Sequence, residues 1–553
     1  MKYNLKSMNS NKISFFTLVK HNWKSGLTVA LVSLPLSISI AVASGASPLN
    51  GIITAVWAGL IASFFASSHY NIMGPAGALT AILAAAALQF GAGALSSIAI
   101  IAGIFILLAW ILRLDKYIAY IPSSVIHGFT LSVALVIGLN QINYAFGLTG
   151  LVKHPHFIEN VAESFRHIHL ASPTTTGFFI LSLGFMFLML KLLPKIPGAV
   201  LLAPIAIAIG YLAQKGSLPL SLLTLGEVFP NLSLSIFSIP KLSFSNAYIL
   251  PAATVALVAI LETEISAKIA DKMTRTKHNQ RREMLGLGLA NLGAGVFGGL
   301  PASGVFVRTS LNVRSHATHR TSQGIQAVLV AVISLILLSS FTYIPMAAIA
   351  AILVFASIRM VEIHHFKHLY RYNKFAFATA IVVAIISTYE DPMIGILVGT
   401  VISLISMIEH ISKGQFELVV NKDKQIIDRV VGHDTHKTIK VADGAEVCVY
   451  SIKGYLTHVN AESHSKRFEE QIAKCGTVLL RLRELLYIDA DGLDTLDDMI
   501  LSVQKHGGQV SISGVNPLIQ KELMHSKKFQ ELLAQNKVYD RASQALNAVG
   551  YNL

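Results

Sequence analysis

Charge is what this sequence has least of. Only 13% of its 553 residues are Asp, Glu, Lys or Arg and 53% are hydrophobic, whereas soluble domains average about 25% charged residues. That balance excludes an ordinary soluble enzyme and implies a protein embedded in a lipid bilayer. Cysteine is scarcer still. The two present, Cys448 and Cys475, lie late in the chain among apolar strand-like residues and read as two buried, reduced thiols of a cytosolic domain rather than a disulfide or metal site. A secretory signal is also missing: the opening MKYNLKSMNSNKISFFTLVKHNWKSG is too long and too polar, and no small-residue cleavage site follows it. Residues 1–25 are therefore expected to form a cytoplasmic N-terminus.

The charge that is present falls unevenly. The formal net charge is +14, and from Gln415 onward 18 acidic residues face 17 Lys and Arg, so the excess belongs to the hydrophobic part. Its basic residues are scattered between apolar segments, with no basic stripe and no interleaved aromatics, which excludes nucleic acid as a partner.

Apolar segments long enough to enter or cross a bilayer begin near residues 26, 51, 74, 95, 121, 175 and 197. A second series begins near 247, 284, 302, 324, 344, 375 and 392. This predicts a polytopic α-helical membrane domain over 26–413, with about fourteen transmembrane segments in two sets of seven, 26–213 and 247–413. Loop charges give the orientation. With the N-terminus inside, even-numbered segments end in the cytoplasm, and the basic residues cluster there, as in Lys268, Lys272, Arg275, Lys277, Arg281 and Arg282 after the eighth. The long loops on the other side carry few. An even number of crossings also returns the C-terminal tail to the cytoplasm, as expected in the inner (plasma) membrane of a cell.

The third segment of each set is interrupted: NIMGPAGALTAIL, residues 71–83, and GGLPASGVFVRT, residues 298–309. Backbone breaks inside a bilayer are tolerated only where protein encloses them. In each, a proline is followed by small residues and then by a helix-forming run, so Pro75 and Pro301 are expected in the first turn of a half-helix. Two such N-termini facing one another from inverted repeats make an anion site. Arg308 is expected about two turns into the second half-helix, adding its charge to that site; the alternative is an arginine paired with Glu262 or Glu264. Those two glutamates lie two residues apart and so on different helix faces. Glu262 is taken as the group facing the site, a candidate for coupling transport to a proton, and Glu264 as a partner for a local cation such as Lys268.

From about Glu446 the pattern changes to short strands and amphipathic helices, a small α/β domain assigned to 441–553, with 414–440 as a linker and the start of the tail. Asp489 and Asp491 precede the helix beginning DGLDTLDDMI, where carboxylates cap a helix and favour its dipole.

Six stretches carry a specific resemblance: LPLSISIAVASGASPLNGI, NIMGPAGA, LETEISAKIADKMT, the run from His278 through Ser315, and, in the tail, YIDADGLDTLDDMI and ISGVNP. On these the chain resembles the sulfate permease (SulP) family of anion transporters with a C-terminal STAS domain. The resemblance implies inverted repeats divided into core and gate domains, alternating access, a homodimer, and a small inorganic or organic anion (sulfate, bicarbonate or dicarboxylate) held between the third and tenth helices. By motif it places Pro75, Ala76 and Gly77 at one helix start, Ser303, Gly304 and Val305 at the other, Arg308 beside them and Glu262 at the family's acidic position. It implies no enzyme activity and no cofactor, with H+ favoured over Na+ as a coupling ion. Sodium-coupled relatives have Asp where Glu262 stands and a hydroxyl residue where Ala76 stands, and a hard cation needs several oxygens. In the STAS loop Asp491 replaces a phosphorylatable Ser of antagonist-type relatives, leaving a permanent carboxylate and a surface for a cytoplasmic protein partner. An anion channel and a nucleobase permease on the same membrane architecture are the competing readings.

Overall fold

A computed structural model describes residues 15–152, 154, 157–193, 197–230, 239, 241–390, 392–412, 415–422, 425–432, 447–472 and 475–550. Residues 1–14 of the expected cytoplasmic lead, and 414, 423, 424 and 433–440 of the expected linker, lie outside the described residues. The chain divides into two compact units, Met1–Thr400 and Val401–Leu553.

In the first unit the elements run α1 (Phe15–Ala43), α2 (Pro48–Phe65), β1 (Met73–Pro75), α3 (Thr80–Phe90), α4 (Ala94–Ile111), α5 (Ser123–Leu139), α6 (Ile142–Phe146), α7 (Phe157–Arg166), α8 (Pro173–Leu192), α9 (Gly198–Gln214) and α10 (Leu225–Val228). The second series is α11 (Ile249–Thr274), α12 (Gln280–Val296), β2 (Ala302–Gly304), α13 (Phe306–Arg314), α14 (Thr321–Phe341), α15 (Met346–Met360), α16 (Ile363–Tyr372), α17 (Lys374–Tyr389) and α18 (Pro392–Ser412). Each apolar segment of the sequence falls on a helix. Among the described residues, eight spans are long and apolar enough to cross a membrane and four shorter helices are apolar. The short amphipathic helices α7 and α16 have no counterpart in the segment pattern.

Packing groups these helices in two sets. α1, α2 and α4 pack with α11, α12, α13 and α14, whereas α5 and α8 pack with α15 and α17. The most extensive meeting is α4 against α12. A Cβ on Gly103 would lie 2.9 Å from the carbonyl oxygen of Gly288, so the two backbones touch through small residues, as membrane helices do when they lack a hydrophobic drive to associate. Helix entries follow local chemistry: Ser47 and Ser172 cap α2 and α8 ahead of a proline at the first helical position, and the Asn279 side chain accepts from Arg282 N to cap α12.

The second unit holds β3 (Gln415–Lys422), β4 (Gln425–Gly432), β5 (Val447–Leu456), α19 (Ala461–Gln471), β6 (Thr477–Arg481), β7 (Leu485–Ile488), α20 (Ala490–Lys505), β8 (Gln509–Ser513), α21 (Gln520–Leu523), α22 (Lys527–Ala534), β9 (Val538–Tyr539) and α23 (Ala542–Ala548). Strand order is β4-β3-β5-β6-β8-β9, with β7 also pairing β5. Much of the segment assigned to a linker is thus sheet: β3 pairs antiparallel with both β4 and β5. The thiols also require correction. Cys448 and Cys475 form a disulfide across a Cα separation of 6.2 Å. The parallel register that sets Val447 opposite Thr477 brings Cys475, just ahead of β6, beside the start of β5, a proximity that residues 27 apart in sequence do not announce.

Beyond α11, Arg275 adopts a left-handed conformation and turns the chain so that His278 folds back onto the helix. Its Nδ1 lies 2.7 Å from Asp271 Oδ2 and its Nε2 3.1 Å from Glu264 Oε2. Burial opposes the imidazolium, but hydrogen bonds to Glu264 and Asp271 outweigh it and push its pKa up to about 9. Because the folded value exceeds the ordinary 6.5, this clasp contributes fully below pH about 6.5, declines above it and is lost as pH rises through about 9. Melting temperature of the purified protein, followed from pH 6 to 10, should show that decline, and His278→Gln should lower the melting temperature at pH 6 and flatten the profile.

Candidate functional site

The two interrupted segments meet. β1 and β2 pair antiparallel, Met73 opposite Gly304, Gly74 opposite Ser303 and Pro75 opposite Ala302. Neither proline opens a helix as the sequence reading expected. Pro75 ends β1, followed by Ala76 in extended conformation, a 3-10 turn at Gly77–Leu79 and then α3; Pro301 precedes β2, and Val305 is the residue before α13. The reason is the pairing itself. In a low-dielectric interior an extended segment must find hydrogen-bond partners, and each break supplies them for the other.

Side chains complete the ladder. Asn291 of α12 accepts from Ala302 N at 2.9 Å and donates to Ala302 O at 3.0 Å, standing in for a third strand. Thr54 Oγ1 of α2 accepts from Leu300 N at 2.6 Å, and Thr263 Oγ1 of α11 accepts from Gly304 N at 2.8 Å. On the other strand, Ile72 N donates to Thr309 Oγ1 at 3.0 Å and Ile72 O accepts from Val305 N at 2.9 Å. The Asn71 amide donates to Glu283 at 2.9 Å, and the same carboxylate accepts from Ser67 N and Ser68 N at 2.8 Å each. None of these supporting residues stood out in the sequence. A polar residue in an apolar helix was the available signal, but its partner is known only once the fold is.

Arg308 lies in the first turn of α13, not two turns in, because the helix begins at Phe306. Helical side chains lean toward the N-terminus, so the guanidinium reaches back across β1. Nη2 donates to Pro75 O and to Ser37 Oγ of α1, each at 3.2 Å. The residue is fully buried. Its hydrogen bonds go to neutral oxygens rather than to Glu262 or Glu264, and its Nε and Nη1 have no hydrogen-bond partner among the described residues. Neither Ala76 nor Val305, the residues preceding the two helical starts, provides a side-chain cap. The site therefore combines a buried cation that Glu262 influences only through space, two unclaimed donors and two helix N-termini, an arrangement suited to an anion.

Glu262 of α11 accepts a short hydrogen bond from the Ser303 hydroxyl, which places it at the β2 edge. Glu264 does not pair with Lys268. It is buried against His278, because the turn after α11 returns that imidazole to the glutamate's face. In the tail, Asp489 caps α20 by accepting from Gly492 N at 2.8 Å and also accepts from His458 N at 3.1 Å. Burial opposes its charge, yet these bonds hold its carboxyl below the ordinary value. Asp491 is exposed in the first turn of α20 and does not cap it.

Comparison with known proteins now decides the family. Residues 19–383 match the sulfate permease family and residues 436–545 the STAS domain. The chain belongs to the sulfate permease family. YvdB of Bacillus subtilis is 28% identical over 522 residues, 93% of this chain and 95% of that protein. The bicarbonate transporter BicA of Picosynechococcus is 23% identical over 561 residues, 98% of this chain and 96% of that one. Among solved structures, the murine Slc26a9 anion transporter in its inward-facing state superposes with a TM-score of 0.83 at 15% identity, covering 98% of this chain and 93% of that one. This permease-family chain is a multi-pass membrane transporter of anions, not an enzyme, with a C-terminal STAS domain.

Gly74 tests the Arg308 seat. A Cβ there would lie 2.5 Å from Arg308 Nη1, so Gly74→Ala should displace the guanidinium at a stability cost of about 1–3 kcal/mol. Substrate affinity of the folded variant, measured by scintillation proximity, should fall at least about tenfold through loss of a charged hydrogen bond. Unchanged affinity would remove Arg308 from the site.

Proposed function

We propose that this chain moves a small anion of the sulfate, bicarbonate or dicarboxylate class across the plasma membrane by alternating access, with N- and C-termini in the cytoplasm. The observation that carries the reading is the buried Arg308 guanidinium with unclaimed donors at the junction of two half-helices. The anion sits between the start of the α3 half-helix, at Pro75, Ala76 and Gly77, and that of α13, at Ser303, Gly304 and Val305. Transport proceeds as the helices around α1–α4 and α11–α14 move against those around α5–α9 and α15–α18. The matching family is named for sulfate and a relative for bicarbonate, which supports oxyanions as the class.

Glu262 is the coupling group in this reading. Beside an anion a carboxylate is unfavourable unless it takes up a proton, so proton symport or exchange follows. The Ala76 side chain supplies no oxygen to a sodium ion, which needs several. The unit of function is a homodimer, and the STAS loop around Asp489 and Asp491 is a surface for a cytoplasmic protein.

Uptake of radiolabelled sulfate, bicarbonate and C4-dicarboxylates into proteoliposomes, with proton and sodium gradients imposed separately, tests the reading. Arg308→Ala should weaken apparent affinity roughly 10- to 100-fold, the worth of a hydrogen bond to a charged group. Glu262→Gln should abolish accumulation driven by a proton gradient while leaving counterflow exchange. Wild-type behaviour of both variants would refute the assignment, and flux that never concentrates substrate would replace a carrier with a channel.

A further inference from the structure

Away from the anion site, α5 and α16 bring together three metal-ligating side chains. His127 stands in the second turn of α5, Glu362 immediately precedes α16 and His365 lies in its first turn. His127 Nδ1 is 3.0 Å and His365 Nδ1 3.4 Å from the same Glu362 Oε2. The two imidazole rings stack with centroids 4.3 Å apart, and one ligand atom from each of the three residues lies within 4.8 Å of the other two. We propose that His127, Glu362 and His365 form a binding site for a divalent transition metal, zinc above all, that ties α16 to the start of α5.

The geometry suits the ion. Bonds of about 2.0–2.2 Å at a tetrahedral centre hold ligand atoms about 3.3–3.6 Å apart, within a few tenths of an ångström of the 3.0 and 3.4 Å found here. Two imidazoles and one carboxylate are a borderline-soft set that selects zinc, copper or nickel over magnesium or calcium. His127 is largely covered, whereas the side chain of His365 is 56% exposed, so a water can reach the fourth position. Lys272 of α11 also acts on both Glu362 and His365, and His364 acts on His365. Their charges set the affinity below that of a buried structural site.

A second trio, His458, Asp489 and Asp491, has similar spacing. It is the poorer cation site. Asp489 uses its oxygens to cap α20 and to receive His458 N, and the positive end of that helix opposes a metal.

The site bears on transport through α5. That helix packs on α15 and α17 and also on the Gly77–Leu79 turn, where Ile137 of α5 is so close that a Cβ on Gly77 would lie 2.6 Å from its Cδ1. Metal at one end of α5 is therefore expected to stiffen the helix that abuts one wall of the anion site.

The test uses the full chain, purified without a polyhistidine tag, titrated with Zn2+ against a chromophoric chelator and with Co2+ by absorption spectroscopy. Expected are binding in the micromolar range or tighter and an affinity loss of at least tenfold in each of His127→Gln, Glu362→Gln and His365→Gln. His368→Gln and Asp489→Asn should bind as wild type. Should a variant fail to fold, X-ray absorption of the zinc-loaded wild type decides: two imidazole ligands support the site, and fewer overturn it. Absence of micromolar binding, or wild-type affinity in a folded Glu362→Gln, also overturns it. Zinc should slow uptake several-fold in wild type but not in His127→Gln. Equal inhibition in both would disconnect the site from transport.

Discussion

Three residues paired with three residues hold the centre of this protein together. A chain that breaks its helices inside a bilayer exposes backbone donors and acceptors to a medium that offers none in return. The antiparallel match of Met73–Pro75 with Ala302–Gly304 resolves that conflict for both repeats at once. Its antiparallel direction is the one that the expected inverted repeats require, since equivalent segments of such repeats run opposite ways. The proposed anion site is thus a by-product of how the breaks are repaired: the strands end, the helices begin, and their starts converge.

Onto this junction the sequence places a cation with no anionic hydrogen-bond partner. A buried guanidinium hydrogen-bonded only to a carbonyl and a hydroxyl is energetically exposed, a cost that the proposed anion would relieve. Ser303 connects the same strand to Glu262, so the group proposed to exchange protons is one hydrogen bond from the backbone at the substrate's edge. Anion and proton can influence one another there without long-range transmission.

Much of this was legible beforehand. Long apolar runs, matching breaks in the third segment of each series and an arginine after one of them report directly on bilayer thickness and backbone satisfaction. The helix starts were misjudged because proline is equally at home in the first turn of a helix and at the end of an edge strand, and only the partner segment decides between them. Helical spacing points Glu264 toward Lys268, but a left-handed residue at Arg275 redirects the chain and supplies His278. Neighbour relations across a turn, such as Cys448 with Cys475 or Asn291 with Ala302, are properties of the folded topology and leave no trace in periodicity.

The Asn291 amide has a mechanical meaning. Because it grips both polar groups of Ala302 while Thr54 and Thr263 hold the residues on either side, β2 is fastened at successive points to α12, α2 and α11. One wall of the proposed binding site is therefore fastened as a single piece. It is built to move together with the helices that hold it rather than to flex open like a flap.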